Sequence, residues 1–133
     1  MKAAMSGFDL RAIARELDRF GGAYVKKAYM PHYEQIVLRI NPKDSDQFDL
    51  VLVRGARIYT SNRDRPMPMT PPPFAMMLRK HLKNARMTAV RQLGFDRVLA
   101  FDFDTKFGVM HLYVEVFREG NVILVDSEGT IIQ

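Results

Sequence analysis

Apolar residues recur at helical spacing near the start of the chain. Because a helix turns once every 3.6 residues, residues three and four apart share one face. Ser6 and Asp9 have the spacing of a capping box, with aspartate in the usual glutamate position. Gly21 follows the last periodic residue and is typical of a helix stop. We therefore predict a first helix over residues 7–20, with an apolar face formed by Leu10, Ile13, Ala14, Leu17 and Phe20.

The next part of the chain shows strand patterns. Residues 23–30 are rich in aromatic and β-branched side chains, and Pro31 is expected to end that strand. Residues 36–40 alternate between an Ile/Leu side and a side formed by Val37 and Arg39, which is typical of a half-buried strand. Two further strands follow closely. The sequence predicts an antiparallel meander whose last two strands cover residues 48–53 and 57–60.

A proline-rich loop over residues 61–73 separates the two halves of the chain. Pro72 or Pro73 suits the first turn of a helix, where no amide donor is needed. Phe74 and Leu78 belong to the apolar stripe of this second helix. The whole pattern predicts one α+β domain, folded as an antiparallel β-sandwich or a partly open barrel with two main helices. Its remaining strands are predicted over residues 87–93, 98–103, 109–117 and 122–125.

Composition narrows the class of protein. The chain has 133 residues, of which 47% are hydrophobic, which is enough for one folded core. It has no cysteine, and its first residues lack the apolar run of a signal peptide. No apolar stretch is long enough to span a membrane. We expect a cytoplasmic domain without a membrane partner, and the net charge of +5 is compatible with a polyanionic partner.

Residues able to support catalysis are sparse. Asp102 and Asp104 lie two apart on a predicted strand, so they share a face and could bind metal or act as acid and base. The alternative is a solvated strand face. The three histidines, His32, His81 and His111, lack metal-ligand spacing, and no nucleophile or nucleotide-loop motif is present. We expect a domain with no catalytic activity of its own, no cofactor, no metal and no small-molecule substrate.

Basic residues offer a different kind of site. Arg79, Lys80, Lys83 and Arg86 follow one another on and after the second predicted helix. Arginine suits phosphate because its planar fork donates two hydrogen bonds at once. These four are candidate RNA phosphate contacts, although a solvated basic face would give the same pattern.

Five motifs together identify a family resemblance. The chain resembles the N-terminal domain of the NFACT family, the ribosome-associated quality-control factors that include nuclear export mediator factors and fibronectin-binding protein A-like proteins. An archaeal member is expected. Ala75 stands where many members have cysteine. The matching stretches are FDL at 8–10, TPPPF at 70–74, LRKHL at 78–82, GFDR at 94–97 and GNVILVD at 120–126.

The resemblance implies a fold and a function that spacing alone does not show. The fold would be similar to the N-terminal domain of formamidopyrimidine-DNA glycosylases, and the chain would be a single NFACT N-terminal domain, a fragment of a longer multidomain protein. Such proteins bind tRNA on the split large ribosomal subunit and support untemplated, mainly alanine, tailing of stalled nascent chains. The tRNA-binding residues of the family map onto Asp9, Asp96 and Arg97. Other domains of the same protein would be further partners.

Each of these three residues also has a structural explanation. Asp9 would cap the first helix, and Asp96 and Arg97 would form a turn. Glycosylase activity does not carry over, because the chain opens with Met1 and Lys2 instead of the proline and glutamate of those enzymes. A protein-interaction or adhesin module of the fibronectin-binding type remains the alternative function.

Overall fold

The computed structural model describes residues 6–62, 71–93, 97–116 and 120–132. Two helices and eight strands make up this part of the chain. In order they are α1 (Gly7–Asp18), β1 (Ala23–His32), β2 (Gln35–Asn41), β3 (Phe48–Val53), β4 (Arg57–Ser61), α2 (Pro73–Leu82), β5 (Arg86–Gln92), β6 (Val98–Thr105), β7 (Gly108–Glu115) and β8 (Val122–Asp126).

All eight strands join one antiparallel sheet in the order β4-β3-β2-β1-β5-β6-β7-β8. Two four-stranded meanders therefore meet at β1 and β5. Their junction is narrow: β1 and β5 pair through Ala23 with Met87 and Tyr24 with Arg86, and Val25 bonds to the residues just before β5. The predicted antiparallel α+β class with two helices is confirmed, and the sheet is continuous and open.

The sheet curves so that distant parts approach one another. Helix α1 packs against β5 and also contacts β4, which is four positions away from β5 in the strand order. Arg54, in the turn between β3 and β4, joins three segments. Its Nε donates to the carbonyl oxygen of Tyr33 at 3.1 Å, its Nη1 donates to that of Gly120 at 3.4 Å, and its guanidinium lies 5.5 Å from the centre of the Phe74 ring. Burial lowers the pKa of Arg54.

Both helices bury apolar faces against the sheet, α1 mainly on β5 and α2 mainly on β1. Helix α1 begins with the predicted capping box, and α2 has Pro73 as its first residue. Of the residues predicted for the apolar faces of the helices, the buried ones are Leu10, Ala14, Leu17 and Leu78, and Ile13, Phe20 and Phe74 are partly buried. The second meander adds the fully buried Leu99, Phe101, Leu112 and Val114 to the same core.

Two predictions about the first meander are wrong. Strand β1 continues through Pro31 to His32, and its pairing with β2 becomes irregular over that last part. A proline lacks an amide donor, so it is tolerated where regular pairing ends. Strand β2 is buried on both faces, since Val37 is fully buried in a second cluster with Tyr29, Val51 and others. Alternation of side chains reveals two faces, but it does not show whether the second face is covered.

A charged network lies in this second cluster. The carboxylate of Asp49 accepts from Nε of Arg39 at 2.9 Å and from the hydroxyl of Tyr29 at 3.0 Å. Nη2 of Arg39 also donates to the same hydroxyl at 3.2 Å. Asp49 is the buried charged residue of the described chain, and its hydrogen bond raises the pKa of Arg39. Because the buried carboxylate is paired and hydrogen-bonded, this face tolerates a charge.

Candidate nucleic-acid interface

Asp9 lies in the first turn of α1, where it forms half of the capping box. Its Oδ2 accepts from the amide of Ser6 at 3.2 Å, and its own amide donates to the hydroxyl of Ser6 at 3.1 Å. Asp9 is exposed, and a carboxylate has about four acceptor positions. The cap therefore leaves acceptors open to solvent. The ring of Phe8, the preceding residue, is 84% exposed.

Two hydrogen bonds attach the C-terminal end of α1 and the turn after it to β5. Val90 donates its amide to Oδ1 of Asp18 at 3.0 Å, and Gly22 donates to the carbonyl of Met87 at 2.6 Å. From Gly22 back to Asp18, the contacts advance along β5 from Met87 to Val90, so these two segments run in opposite directions. These two hydrogen bonds attach the C-terminal end of α1 to β5, which ends at Gln92.

Arg97 lies at that same end of the sheet. It directly precedes β6, and its carbonyl accepts from the amide of Val116 at 2.7 Å, which fixes its backbone. The residue is exposed. Asp96 lies outside the described residues. The structure places Asp9 in the first turn of α1 and Arg97 directly before β6, and both the proximity and the role of the predicted trio stay predictions.

The four predicted phosphate contacts do not form one uniform patch. Nε of Arg79 donates to the backbone carbonyl of Ala28 at 2.6 Å, so this side chain anchors α2 to β1. Arg86 faces Asp104 at 3.8 Å, a solvent-exposed pair. Lys80 and Lys83 are exposed.

A groove between β1 and α2 reveals cationic residues that the sequence did not single out. Its volume is about 310 Å³, and Arg79 and Lys83 line it from the helix. Lys26 and Lys27 line it from the strand. Side chains of neighbouring strand residues normally point to opposite faces. The only sequence signal was therefore the pair of adjacent lysines, and alternation argued against their acting together.

Asp102 belongs to a second charged cluster, on the face of the sheet opposite Phe101 and Phe103. Arg91 binds it with both fork nitrogens, at 2.7 and 2.9 Å, and Nδ1 of His111 lies 2.6 Å from its Oδ1. Partial burial acts to raise the pKa of Asp102, but the hydrogen bonds from Arg91 and His111 outweigh it and lower the pKa below its ordinary value. Asp104 is exposed, as expected for a solvated strand face, whereas Asp102 is largely buried and paired.

Metal-binding and membrane-spanning features are absent from the described residues. No three His, Asp or Glu side chains there are arranged to hold a metal ion. Neither α1 nor α2 has the length and apolarity needed to cross a membrane. The fold and these sites define an α+β domain whose described surface carries a cationic groove and charged clusters.

Residues 6–133 match the family of NFACT N-terminal and middle domains, and the chain belongs to that family. It is 36% identical over 137 residues to the archaeal Rqc2 homolog aRqcH of Methanocaldococcus jannaschii, an alignment covering 99% of this chain and 20% of that protein. It is 36% identical over 133 residues to the human ribosome quality control complex subunit NEMF, covering 99% of this chain and 12% of NEMF. The chain thus spans a fifth or less of these two relatives.

Solved structures share the fold. The N-terminal part of the fibronectin/fibrinogen-binding protein from Streptococcus suis superimposes with a TM-score of 0.89 at 32% identity, covering 98% of this chain and 52% of that one. The N-terminal domain of the fibronectin-binding protein PavA from Streptococcus pneumoniae gives a TM-score of 0.87 at 26% identity, with 96% and 52% covered.

Proposed function

We propose that this chain is a tRNA-binding domain of a ribosome quality-control factor. It acts on the split large ribosomal subunit in the cytoplasm and supports untemplated, mainly alanine, tailing of stalled nascent chains. The observation that carries the proposal is the 36% identity, across 99% of the chain, to an archaeal Rqc2 homolog and to a ribosome quality control subunit. The domain contributes recognition and no chemistry of its own, since peptide transfer belongs to the ribosome.

The proposed recognition residues are Asp9, Asp96 and Arg97. Arg97 donates to a tRNA phosphate or base edge, and Asp96 holds its guanidinium or accepts from a base amino group or a ribose hydroxyl. Asp9 accepts a similar bond from the end of α1. Support comes from the solvent exposure of both Asp9 and Arg97. The exposed ring of Phe8 beside Asp9 suits stacking of an unpaired base.

Ser6 provides a matched control for the role of Asp9. Ser6→Ala breaks the capping box but keeps the Asp9 carboxylate, whereas Asp9→Ala removes both. Loss of a cap typically costs about 1 kcal/mol, so we expect similar melting temperatures for the two variants. In tRNA titrations of the 133-residue chain, only Asp9→Ala should weaken binding, by about tenfold, as expected for the loss of a hydrogen bond to a charged group. Equal tRNA affinities in the two variants would reduce Asp9 to a helix cap.

The Asp96→Ala/Arg97→Ala double variant tests the other two residues. It should melt like the wild type and lose recruitment of charged tRNA to the large subunit. Arg57→Ala removes an exposed arginine elsewhere and should have little effect. Normal recruitment in the double variant, at normal protein level, would refute the assignment.

An adhesin module is the second candidate, because two structural relatives are named as fibronectin-binding proteins. Binding measured at several salt concentrations separates the two functions. Neutralising phosphates releases counterions, so tRNA affinity should fall steeply as salt rises. Tighter binding to fibronectin than to tRNA, or a flat salt dependence, would favour the adhesin.

A further inference from the structure

One edge of β1 is left unpaired by neighbouring described strands over much of its length. Val25 still exchanges backbone hydrogen bonds with the segment before β5, donating to Ala85 at 2.8 Å and accepting from Asn84 at 3.0 Å. Beyond Val25 the strand faces α2, and the groove of about 310 Å³ lies between them. This volume is at the lower end of the range for ligand sites, about 300–1,000 Å³. It suits a unit the size of one nucleotide.

All the charged residues that line the groove are basic. Its ionisable lining residues are Lys26, Lys27, Arg79 and Lys83, and no carboxylate of the described chain lines it. Ala28 and Leu78 contribute apolar surface between these cations. A cleft lined by one sign of charge concentrates ligands of the opposite sign. The natural ligand is therefore an anion that also has an apolar or planar part.

A β-bulge builds the strand side of the groove. Val25 pairs with Ile40 and Lys27 pairs with Arg39, so Lys26 is an extra residue in β1. A bulge redirects side chains and is common next to functional sites. It explains how two adjacent lysines line one groove.

Arg79 contributes a fixed donor on the helix side. Its Nε is bound to the carbonyl of Ala28, and its two terminal nitrogens have no partner within the described parts of the chain. The bond to Ala28 orients the rest of the guanidinium in advance. It also occupies a carbonyl that an added peptide strand would need for regular pairing with β1, so an extended peptide fits this edge poorly.

We infer that this groove binds one nucleotide of an RNA strand. The phosphate is held by Lys26, Lys83 and the terminal nitrogens of Arg79, and the ribose or base lies over Ala28 and Leu78. The inference rests on the proposed RNA-binding function and adds a second binding site to the one proposed at Asp9, Asp96 and Arg97. Strand β5 separates the groove, near its start, from Arg97, near its end, by about 20 Å. A single RNA could therefore reach both places.

The test uses the 133-residue chain and fluorescein-labelled hexauridylate, with anisotropy measured between about 50 and 200 mM salt. Lys26→Gln/Lys83→Gln removes two groove charges. It also removes the hydrogen bond from Nζ of Lys26 to Oε1 of Gln47 at 3.2 Å, so the melting temperature of each variant is measured beside its affinity. Arg19→Gln/Arg57→Gln removes two exposed charges that do not line the groove. We expect affinity to fall by at least about tenfold in the groove variant and by less than about threefold in the control. The slope of log affinity against log salt should become shallower by about 0.7 for each phosphate that the variant no longer neutralises.

The outcomes separate the two proposals. Equal affinities of the two variants, with RNA still bound, would refute nucleotide binding in the groove and leave the proposed RNA binding intact. No binding of hexauridylate or tRNA by the wild type would overturn both. Tighter groove-dependent binding of hexaglutamate would replace RNA with an acidic peptide. Amide chemical shifts of the wild type give an independent check, since hexauridylate should perturb residues 25–28 and 78–83, and shifts confined elsewhere would overturn the groove.

Discussion

The buried Asp49 carboxylate should contribute strongly to the stability of the first meander. In Asp49→Ala, the fully buried hydroxyl of Tyr29 and the guanidinium of Arg39 lose their shared acceptor. Removing one partner of a buried ion pair costs about 3–5 kcal/mol. The Arg39 side chain is 25% exposed and can recover some hydration, so we expect about 2–4 kcal/mol.

Thermal unfolding gives the assay. With an unfolding entropy of about 2.1 cal/mol/K per residue and 133 residues, this destabilisation lowers Tm by about 7–14 °C. Asp104→Ala is the matched control, because it removes a carboxylate whose arginine pair is exposed on both sides. Such surface pairs contribute about 0–1 kcal/mol.

A double-mutant cycle checks the cause. Arg39→Ala alone should be about as destabilising as Asp49→Ala, because it leaves the buried carboxylate without its cation. The double variant should be destabilised clearly less than the sum of the two. The reasoning is refuted if Asp49→Ala melts like Asp104→Ala, or if the two single effects simply add.

Two further predictions concern backbone geometry and pH. Gly120 has a φ of +70°, and a Cβ added there would meet the backbone of Gly55, with the Cα at 2.7 Å. Gly120→Ala should therefore lower Tm more than Gly129→Ala, which has a φ of +83° but open space around it, and equal decreases in thermal melts would contradict this close approach. The pKa of Asp102 is lowered in the folded chain, so its stabilisation is present above the ordinary value of 3.8 and is lost as pH falls through the lower folded value. Denaturant unfolding should show that the stability difference between wild type and Asp102→Asn shrinks with acid below pH 3.8, and a constant difference would argue against the Arg91 pairing as its cause.

Local signals predicted most of the elements. The capping box determined the start of α1 because Ser6 and Asp9 satisfy each other's amides within one turn. Pro73 opens α2 because its fixed φ suits the first turn. These features depend on residues within a few positions of one another. For this reason, their prediction needed no knowledge of the tertiary fold.

Burial on the second face of the first meander could not be predicted from the sequence in the same way. Val37 and Arg39 follow one another at period two, as they would on a solvent-facing strand. In the structure Val37 is fully buried, and Arg39 is bound to Asp49. The pairing register that aligns Arg39 with Asp49 is a property of two strands together. Alternation within either strand alone does not reveal it.

The positions of the candidate RNA-binding residues depend on contacts between elements that are far apart in the sequence. Lys26 and Lys27 line one groove because β1 contains a bulge and because α2 covers the edge that β5 leaves unpaired. Arg79 looked like a free phosphate donor in a basic helix, yet its Nε holds α2 on β1. The same hydrogen bond that anchors the helix also fixes the guanidinium at the groove. Helix attachment and anion binding are therefore coupled at Arg79, so a variant there would test stability and RNA binding together. Lys83 tests binding without that helix anchor, whereas Nζ of Lys26 also donates to Oε1 of Gln47 at 3.2 Å.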